Sequence, residues 1–228
     1  MTRHEAGPVT NATSRPPPRA LAPRLVALTE RSLATAAETL ARFERVARAA
    51  RPWSVLFQLR DRELSALERI AFGRELRALC TRRDQWFQVN DRIDLAVVLG
   101  GDGVHLGEAS VAAEDARAIV GPSAFISRAC HDAEGALELD VDAWVLSPIF
   151  AARKGKPALG LGAVRRLHER CRTGSEGANR PHVWALGGVT ASVAKACLAE
   201  GADGVAVMGA VLAGNELDAL ISELGILR

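Results

Sequence analysis

The sequence lacks the features that mark several other classes of protein. No apolar run approaches the roughly 18 residues of a membrane-spanning helix, and the N-terminal segment has no apolar core of the signal-peptide type. The net charge is only +2, and the first 20 residues account for it, so no broad basic surface for nucleic acid is expected. The four cysteines have no metal-ligand spacing, which favours reduced thiols. These absences predict a cytoplasmic protein that binds neither membranes nor nucleic acids.

The chain divides into a short tail and one domain. Residues 1–22 contain a proline-rich run between Arg15 and Arg19 and are expected to be disordered or extended. Residues 23–228 alternate short apolar runs with segments of helical periodicity, which is typical of α/β proteins. Their length is close to the roughly 250 residues of a (β/α)8 barrel. We therefore predict a single-domain (β/α)8 TIM barrel.

Eight strand-like runs, each followed by a helix-like segment, support this fold. Strands are expected at residues 24–29, 53–59, 85–89, 103–106, 124–129, 143–146, 183–186 and 205–208. Helices are expected at residues 32–50, 63–82, 94–99, 112–120, 133–139, 162–171, 190–200 and 215–224. A repeated motif places Asp102, Asp142 and Asp203 just before three of the strands. Because these aspartates would lie at the N-terminal face, away from barrel chemistry, we interpret them as turn formers.

Glycines end the last two predicted strands. Gly187 and Gly188 follow the first of them, and Gly209 and Ala210 follow the second, directly after Met208. A strand that stops at glycine and leads into a helix leaves backbone N–H groups free to bind a phosphate. The alternative is that these glycines only make tight turns. Their position at strands seven and eight of a barrel favours a phosphate site.

Polar side chains end most of the other predicted strands, and a barrel would gather them at its C-terminal face. Arg60 has the planar fork that grips an anion, Asp91 can bind a hard cation such as Mg²⁺, and His131 can move a proton near neutral pH. Further candidates at this face are Gln58, Arg62, Asn90, Glu108, Ser147, Arg153, Lys154 and Lys156.

The residues alone leave other interpretations open. Gln58, Arg60 and Asp91 could form a structural network, and His131 could be an ordinary surface or core histidine. The basic loop at residues 153–156 could be solvated rather than a lid over a polyphosphate. Glu108 could extend the site or cap the next helix. His105 lies inside a strand and is expected to pack in the core.

Six segments, taken together and in order, resemble thiamine-phosphate synthase and its TenI-type relatives. They are residues 58–62, 89–96, 103–107, 148–150, 187–190 and 201–207. The resemblance runs from residue 24 to about residue 213. It implies an enzyme of thiamine biosynthesis that joins an aminopyrimidine methyl diphosphate to a thiazole phosphate, releasing pyrophosphate and using Mg²⁺. Such a reaction depends on stabilising the charge of the leaving group.

The resemblance also implies roles for individual residues. Gln58, Arg60 and Asn90 would hold the pyrimidine diphosphate, with Arg62 where the family usually has lysine. Asp91 would bind Mg²⁺, and Lys154 or Lys156 would contact the pyrophosphate. The thiazole phosphate would lie in a cradle made of Gly187, Gly188, Met208, Gly209 and Ala210.

Departures from the family pattern fall on the diphosphate half of the site. Ser110 stands at the usual position of a second Mg²⁺ ligand, Ala151 and Ala152 lie in a segment that is usually rich in threonine, and Ala129 replaces a usual serine. That pattern suits a TenI-type thiazole tautomerase, which needs no Mg²⁺ and would use His131 as its proton carrier. A synthase, a tautomerase and a non-catalytic phosphate-binding barrel therefore stay open, each with small phosphorylated ligands. The sequence does not fix the oligomeric state, a homo-oligomer included.

Overall fold

Eight parallel strands close into a barrel in the order in which they occur along the chain. The computed structural model describes residues 22–134, 140–152, 155–173, 180–213 and 216–228. The strands are β1 (Leu25–Leu28), β2 (Val55–Leu59), β3 (Trp86–Asn90), β4 (Gly103–Leu106), β5 (Phe125–Cys130), β6 (Ala143–Leu146), β7 (His182–Leu186) and β8 (Gly204–Val207). β8 pairs with β1, with Leu25 opposite Val205, and so completes the ring. The predicted (β/α)8 fold is confirmed.

Helices surround the barrel in the described part of the chain. They are α1 (Ala36–Ala49), α2 (Ala66–Arg82), α3 (Ile93–Val98), α4 (Ala113–Val120), α5 (Leu161–Thr173), α6 (Ala191–Ala199), α7 (Gly209–Leu212) and α8 (Leu217–Glu223). The glycine end at Gly209 indicated the start of a helix, but the expected helices did not include α7, which has one turn and no room for a periodic pattern. The helix expected at 133–139 falls mostly on residues 135–139, which lie outside the described residues, as does nearly all of the 1–22 tail.

Capping boxes set the beginnings of α1 and α2. Thr35 accepts the backbone N–H of Glu38, whose carboxylate accepts the N–H of Thr35 in return, and Ser65 and Glu68 repeat the arrangement. Each box satisfies backbone donors that the first helical turn leaves free. The predictions at residues 32 and 63 began three or four residues too early, because apolar periodicity does not locate a cap.

The barrel interior changes from apolar to polar along the strands. Near their N-terminal ends, the rings of Trp86, Phe125 and Trp184 follow one another, with centroids 5.6 and 5.5 Å apart. One pleat period further along come the buried polar side chains of Gln58, Gln88, His105 and Ser127, and that of Asn90 follows one period later at the end of β3. The opposite face of each strand packs against the helices and belongs to a larger apolar cluster. The polar interior therefore lies directly under the C-terminal face.

The three repeated aspartates link neighbouring strands at the N-terminal face. Each accepts the backbone N–H of a residue in the preceding strand: Asp102 that of Phe87, Asp142 that of Ile126 and Asp203 that of Val183, at 2.7 to 2.8 Å. Each also binds an arginine, namely Arg77, Arg117 and Arg180 respectively. They therefore do more than form turns, since each fastens an even-numbered strand to the odd-numbered strand before it.

Two further predictions can be compared with the structure. All four cysteines are free and buried, in agreement with the expectation of reduced thiols. Among the residues described, no helix is both long and apolar enough to cross a bilayer.

Candidate active site

A pocket of about 670 Å³ opens at the C-terminal end of the barrel. Every strand or the connection after it contributes to its wall, as expected for a barrel site. Of the residues predicted from the sequence, the wall contains Arg60, Arg62, Asn90, Asp91, Glu108, His131, Ser147, Lys156, Gly187 and Met208. The closed barrel thus brings together side chains that are more than 100 residues apart in the sequence.

Other predicted residues lie elsewhere. Gln58 is buried below the pocket, where its Nε2 lies 3.4 Å from Oε1 of Gln88. Gly188, Gly209 and Ala210 are not part of the described wall, although they adjoin Gly187 and Met208. Arg153 and Lys154 lie outside the described residues. The roles predicted for these positions stay predictions.

Asn90 and Asp91 end β3 at the edge of the pocket. Asn90 is 4% exposed, and its Nδ2 has no hydrogen-bond partner among the described residues. A buried amide of this kind is usually satisfied, so Asn90 leaves an unpaired polar group at this edge of the pocket. Asp91 has a φ of +64°, in the left-handed region, and its N–H donates to the carbonyl of His105 at 2.8 Å. This turn brings its carboxylate into the pocket wall.

The donors around Asp91 test whether a divalent cation fits. The hydroxyl of Ser110 donates to Oδ1 of Asp91 and accepts the N–H of Gly107 at 2.9 Å. Glu108 is occupied elsewhere, because its carboxylate binds Nζ of Lys156 at 3.1 Å. The described residues contain no cluster of three His, Cys, Asp or Glu side chains suited to a metal. The donor set therefore fits Mg²⁺ only if a ligand supplies further oxygens, as substrate phosphates often do.

The two arginines after β2 differ in their partners. Nη1 of Arg60 lies 2.5 Å from Oε2 of Glu30, and both side chains are largely buried. Its backbone N–H is held at 2.8 Å by the hydroxyl of Thr29. Arg62 also lines the pocket but has no carboxylate partner in the described part of the chain. Arg62 is therefore available to bind an anion, whereas the charge of Arg60 is already balanced by Glu30.

His105 contributes to the pocket wall, which the expectation of simple core packing did not include. The side chain is 8% exposed, and its Nδ1 lies 2.9 Å from Oγ of Ser127. Burial, followed by the positive charge of Arg62, lowers the pKa of His105 to about 4. The imidazole is therefore neutral at physiological pH.

The tautomer of His131 follows from its hydrogen bonds. Its Nδ1 lies 2.5 Å from the carbonyl oxygen of Ser147 and 3.2 Å from the hydroxyl of the same residue. A carbonyl oxygen can only accept, so Nδ1 carries the proton and Nε2 has the free lone pair. Since the residue lines the pocket, it can act there as a proton acceptor.

The glycine pair after β7 makes a tight turn, which is one of the two interpretations that the sequence left open, and the phosphate site stays a prediction. Gly187 has a φ of +102°, and a Cβ atom there would lie 2.9 Å from Cα of Pro148. Its carbonyl accepts the N–H of Phe150 at 2.8 Å, so the turn also fixes the connection after β6.

The glycine after β8 has a more open environment. A Cβ on Gly209 would meet nothing within 4 Å, which leaves space beside the first turn of α7. The N–H groups of such a turn have no acceptor within the helix.

Arg128 is a supporting residue that the sequence interpretation missed. It is 8% exposed, and its guanidinium donates to the carbonyls of Val111, Glu108 and Ser110 at 2.9 to 3.2 Å. It therefore fixes the connection after β4, which carries the partners of both Asp91 and Lys156. The available signal was a charged residue in the middle of an otherwise apolar strand.

The fold and the pocket define a class: a (β/α)8 barrel with a pocket of charged and polar side chains at the C-terminal ends of its strands. The model of the family described as thiamine monophosphate synthase matches residues 25–211. The chain therefore belongs to this family, as its motifs predicted.

Individual relatives agree with this assignment. The chain is 35% identical over 166 residues to a thiamine-phosphate synthase from Gloeobacter violaceus, covering 71% of this chain and 46% of the relative. It is 32% identical over 170 residues to one from Methanospirillum hungatei, covering 72% and 79%. Among solved structures, a thiamine phosphate pyrophosphorylase from Pyrococcus furiosus has a TM-score of 0.74 at 25% identity, covering 91% of this chain and 97% of its own. The chain thus spans about half the length of the Gloeobacter relative but nearly all of the Pyrococcus one.

Proposed function

We propose that the protein joins an aminopyrimidine methyl diphosphate to a thiazole phosphate and releases pyrophosphate, which is the thiamine-phosphate synthase reaction. The proposal is supported by relatives that bear this name and by a pocket with the required donors. The observation that carries it is the buried Nδ2 of Asn90, which lacks an acceptor among the described residues and lies in the same pocket wall as Arg62. An anionic ligand would satisfy both groups. Four buried, free cysteines support a cytoplasmic site of action.

The residues of the pocket suggest how the reaction would proceed. The bond between the pyrimidine methylene carbon and the diphosphate oxygen breaks, and the thiazole nitrogen then bonds to that carbon. Arg62 would receive the charge that develops on the leaving group, while Arg60 would have to share its guanidinium with Glu30. Lys156 could join them after leaving Glu108, and Lys154 is assigned to the same pyrophosphate by family resemblance alone.

Two further parts of the proposal concern the cation and the second substrate. Mg²⁺ would be held by Asp91 together with diphosphate oxygens, and it would neutralise negative charge on the pyrophosphate. The thiazole phosphate would be bound by the cradle formed by Gly187, Gly188, Met208, Gly209 and Ala210. Gln58 would support the pyrimidine from below the pocket, where it contacts Gln88.

A second candidate function is a thiazole tautomerase. Two observations favour it: Nε2 of His131 is left as a proton acceptor at the pocket wall, and Ser110 already occupies Asp91. In this reaction His131 would take a proton from one position of the thiazole phosphate and return it to another. The diphosphate half of the pocket would then be unused.

Incubation of the full chain with both substrates and Mg²⁺ tests the main proposal. We expect thiamine phosphate and pyrophosphate in equal amounts. The Arg62→Ala variant should lose about tenfold or more of kcat/KM, because a charge-assisted hydrogen bond contributes about 1.5–3 kcal/mol. Arg45→Ala, which removes an exposed arginine from α1, is the matched control and should behave like the unchanged protein. Absence of product from the unchanged protein would rule out the synthase.

The same preparation distinguishes the tautomerase. Isomerisation of the thiazole phosphate should continue in the presence of a chelator and should be abolished in His131→Ala. Full isomerase activity in that variant would refute the assignment of His131.

A further inference from the structure

Four polar side chains form a hydrogen-bonded chain in the barrel interior, beneath the pocket. Gln58 lies on β2, Gln88 on β3, His105 on β4 and Ser127 on β5, and all four are at least nine-tenths buried. Oε1 of Gln88 lies 3.4 Å from Nε2 of Gln58 and 3.2 Å from Oγ of Ser127. Oγ of Ser127 lies 2.9 Å from Nδ1 of His105. These hydrogen bonds therefore link the four consecutive strands β2, β3, β4 and β5 inside the barrel.

A single backbone carbonyl fixes the direction of every bond in this chain. Nε2 of Gln88 lies 3.3 Å from the carbonyl oxygen of Phe125, which can only accept. The amide nitrogen of Gln88 therefore points to Phe125, and its oxygen points to Gln58 and Ser127. Since an amide oxygen accepts, Ser127 must donate its hydroxyl proton to it. The oxygen of Ser127 is then the acceptor for His105.

The consequence for His105 is a fixed tautomer. Nδ1 must carry a proton to donate to Ser127, so a neutral ring has its lone pair on Nε2. No hydrogen bond to Nε2 is formed by the described residues, and the ring belongs to the pocket wall. The floor of the pocket thus presents a hydrogen-bond acceptor.

We propose that Ser127 and Gln88 are positioning residues that hold His105 as the Nδ1–H tautomer, so that its Nε2 accepts an N–H donor from the ligand. The identity of that ligand rests on the proposed function. Of the two substrates, the aminopyrimidine carries N–H groups, whereas the thiazole phosphate has none. The four hydrogen-bonded side chains therefore contribute to recognition of the pyrimidine.

Nitrogen NMR of the histidine side chains in the ligand-free full chain tests the tautomer directly. The signals of His105 are identified by their loss in His105→Asn. In the unchanged protein, we expect a protonated Nδ1 and an unprotonated Nε2. Gln88→Leu should reverse this pattern, because Ser127 then loses its acceptor and can donate its proton to Nδ1 instead. Ser127→Thr keeps a hydroxyl and should retain the original pattern.

Two results would overturn the proposal: a protonated Nε2 in the unchanged protein, or an unaltered tautomer in Gln88→Leu. This measurement needs no substrate, so it decides the tautomer even if the protein fails to make thiamine phosphate. A failure of the proposed function would appear only in the activity assay.

Kinetics then separate positioning from a general structural effect. In Ser127→Ala, we expect the KM for the pyrimidine diphosphate to rise about fivefold, the worth of one hydrogen bond, while the KM for the thiazole phosphate changes less than about twofold. Ser65→Ala is the control, because it removes the cap of α2 and weakens the fold at a distance from this chain. An equal rise of both KM values in Ser127→Ala, or the same change in Ser65→Ala, would contradict the proposal.

Discussion

Single residues in the pocket are engaged with partners that a ligand would have to displace. Ser110 occupies one oxygen of Asp91, Glu108 occupies Lys156, and Glu30 occupies Arg60. The sequence predicted the positions of Asp91, Arg60 and Lys156 because strand ends of a parallel barrel converge. It could not predict their partners, since each pair joins two elements and depends on side-chain rotamers. Under the proposed function, the affinity for the diphosphate would include the cost of breaking these contacts.

A carboxylate at position 110 should create a stronger cation site. Ser110→Asp would place a second negative charge beside Asp91, and more ligand charge tightens the binding of hard cations. We expect Mn²⁺, used as a probe for Mg²⁺, to bind the substrate-free variant about tenfold more tightly than the unchanged protein. Electron paramagnetic resonance titration measures the free ion. Ser110→Ala, which removes the hydroxyl without adding charge, should show no such gain, and equal affinity in all three proteins would contradict the prediction.

At the scale of elements, the predicted bounds of the described strands and helices agree with the structure to within two residues, except at the starts of α1 and α2. An apolar run of four or five residues, such as Gly103–Leu106 or Ala143–Leu146, appears in the structure with the predicted bounds. Helix starts depend instead on local hydrogen bonds at Thr35 and Ser65, which apolar periodicity does not contain. The connections after the strands are set by specific backbone conformations, with Gly187 as the clearest case.

Alanine at Gly187 should destabilise the protein and disturb the connection after β6. The left-handed φ of +102° disfavours a side chain, and the new Cβ would meet the backbone of Pro148 at 2.9 Å. We expect a loss of about 1–3 kcal/mol in the free energy of unfolding, measured with urea. Gly209→Ala is the matched control because its Cβ has free space, and its stability should change by less than about 0.5 kcal/mol. Equal losses in the two variants would refute this account.

At the scale of the whole molecule, the closed barrel allows the positions of the site residues to be predicted from the sequence pattern. Eight parallel strands require eight connections on one face, so a count of strand-like runs was enough to gather the site residues. The hydrogen bond from Ser127 to Gln88 could not be predicted from the sequence, because it joins β5 to β3 and these strands are not neighbours. The ion pairs of the three repeated aspartates were also unforeseen, although their N-terminal position was expected.

The ion pairs at the N-terminal face should make the free energy of unfolding depend on pH. Burial alone would raise the pKa of Asp203, but the nearby His182 ring and the hydrogen bonds from Arg180 and the N–H of Val183 outweigh it and hold the pKa well below its usual range. A depressed pKa in the folded state contributes stability that is present above the unfolded value of about 4 and is lost progressively as the pH falls from about 4 towards the folded pKa. Asp203→Asn should therefore cost about 2 kcal/mol at pH 7 and progressively less in acid.

Asp102→Asn provides the comparison for this prediction. Burial raises the pKa of Asp102 in spite of Arg77, so the deficit of this variant should not shrink as the pH falls. Urea unfolding of both variants and the unchanged protein between pH 7 and about pH 2 measures the two trends. A constant deficit for Asp203→Asn across this range would show that its charge does not provide the stability.

The aspartate links also separate the parts of the chain that can vary from those that cannot. The three links join β3 to β4, β5 to β6 and β7 to β8, so the connections that follow β4 and β6 lie between linked pairs of strands. These two connections carry Ser110 and Lys156. None of the three links involves a residue of these two connections, so a substitution there leaves every link in place. Asp91 and His131, by contrast, lie on connections whose two strands are fastened to each other.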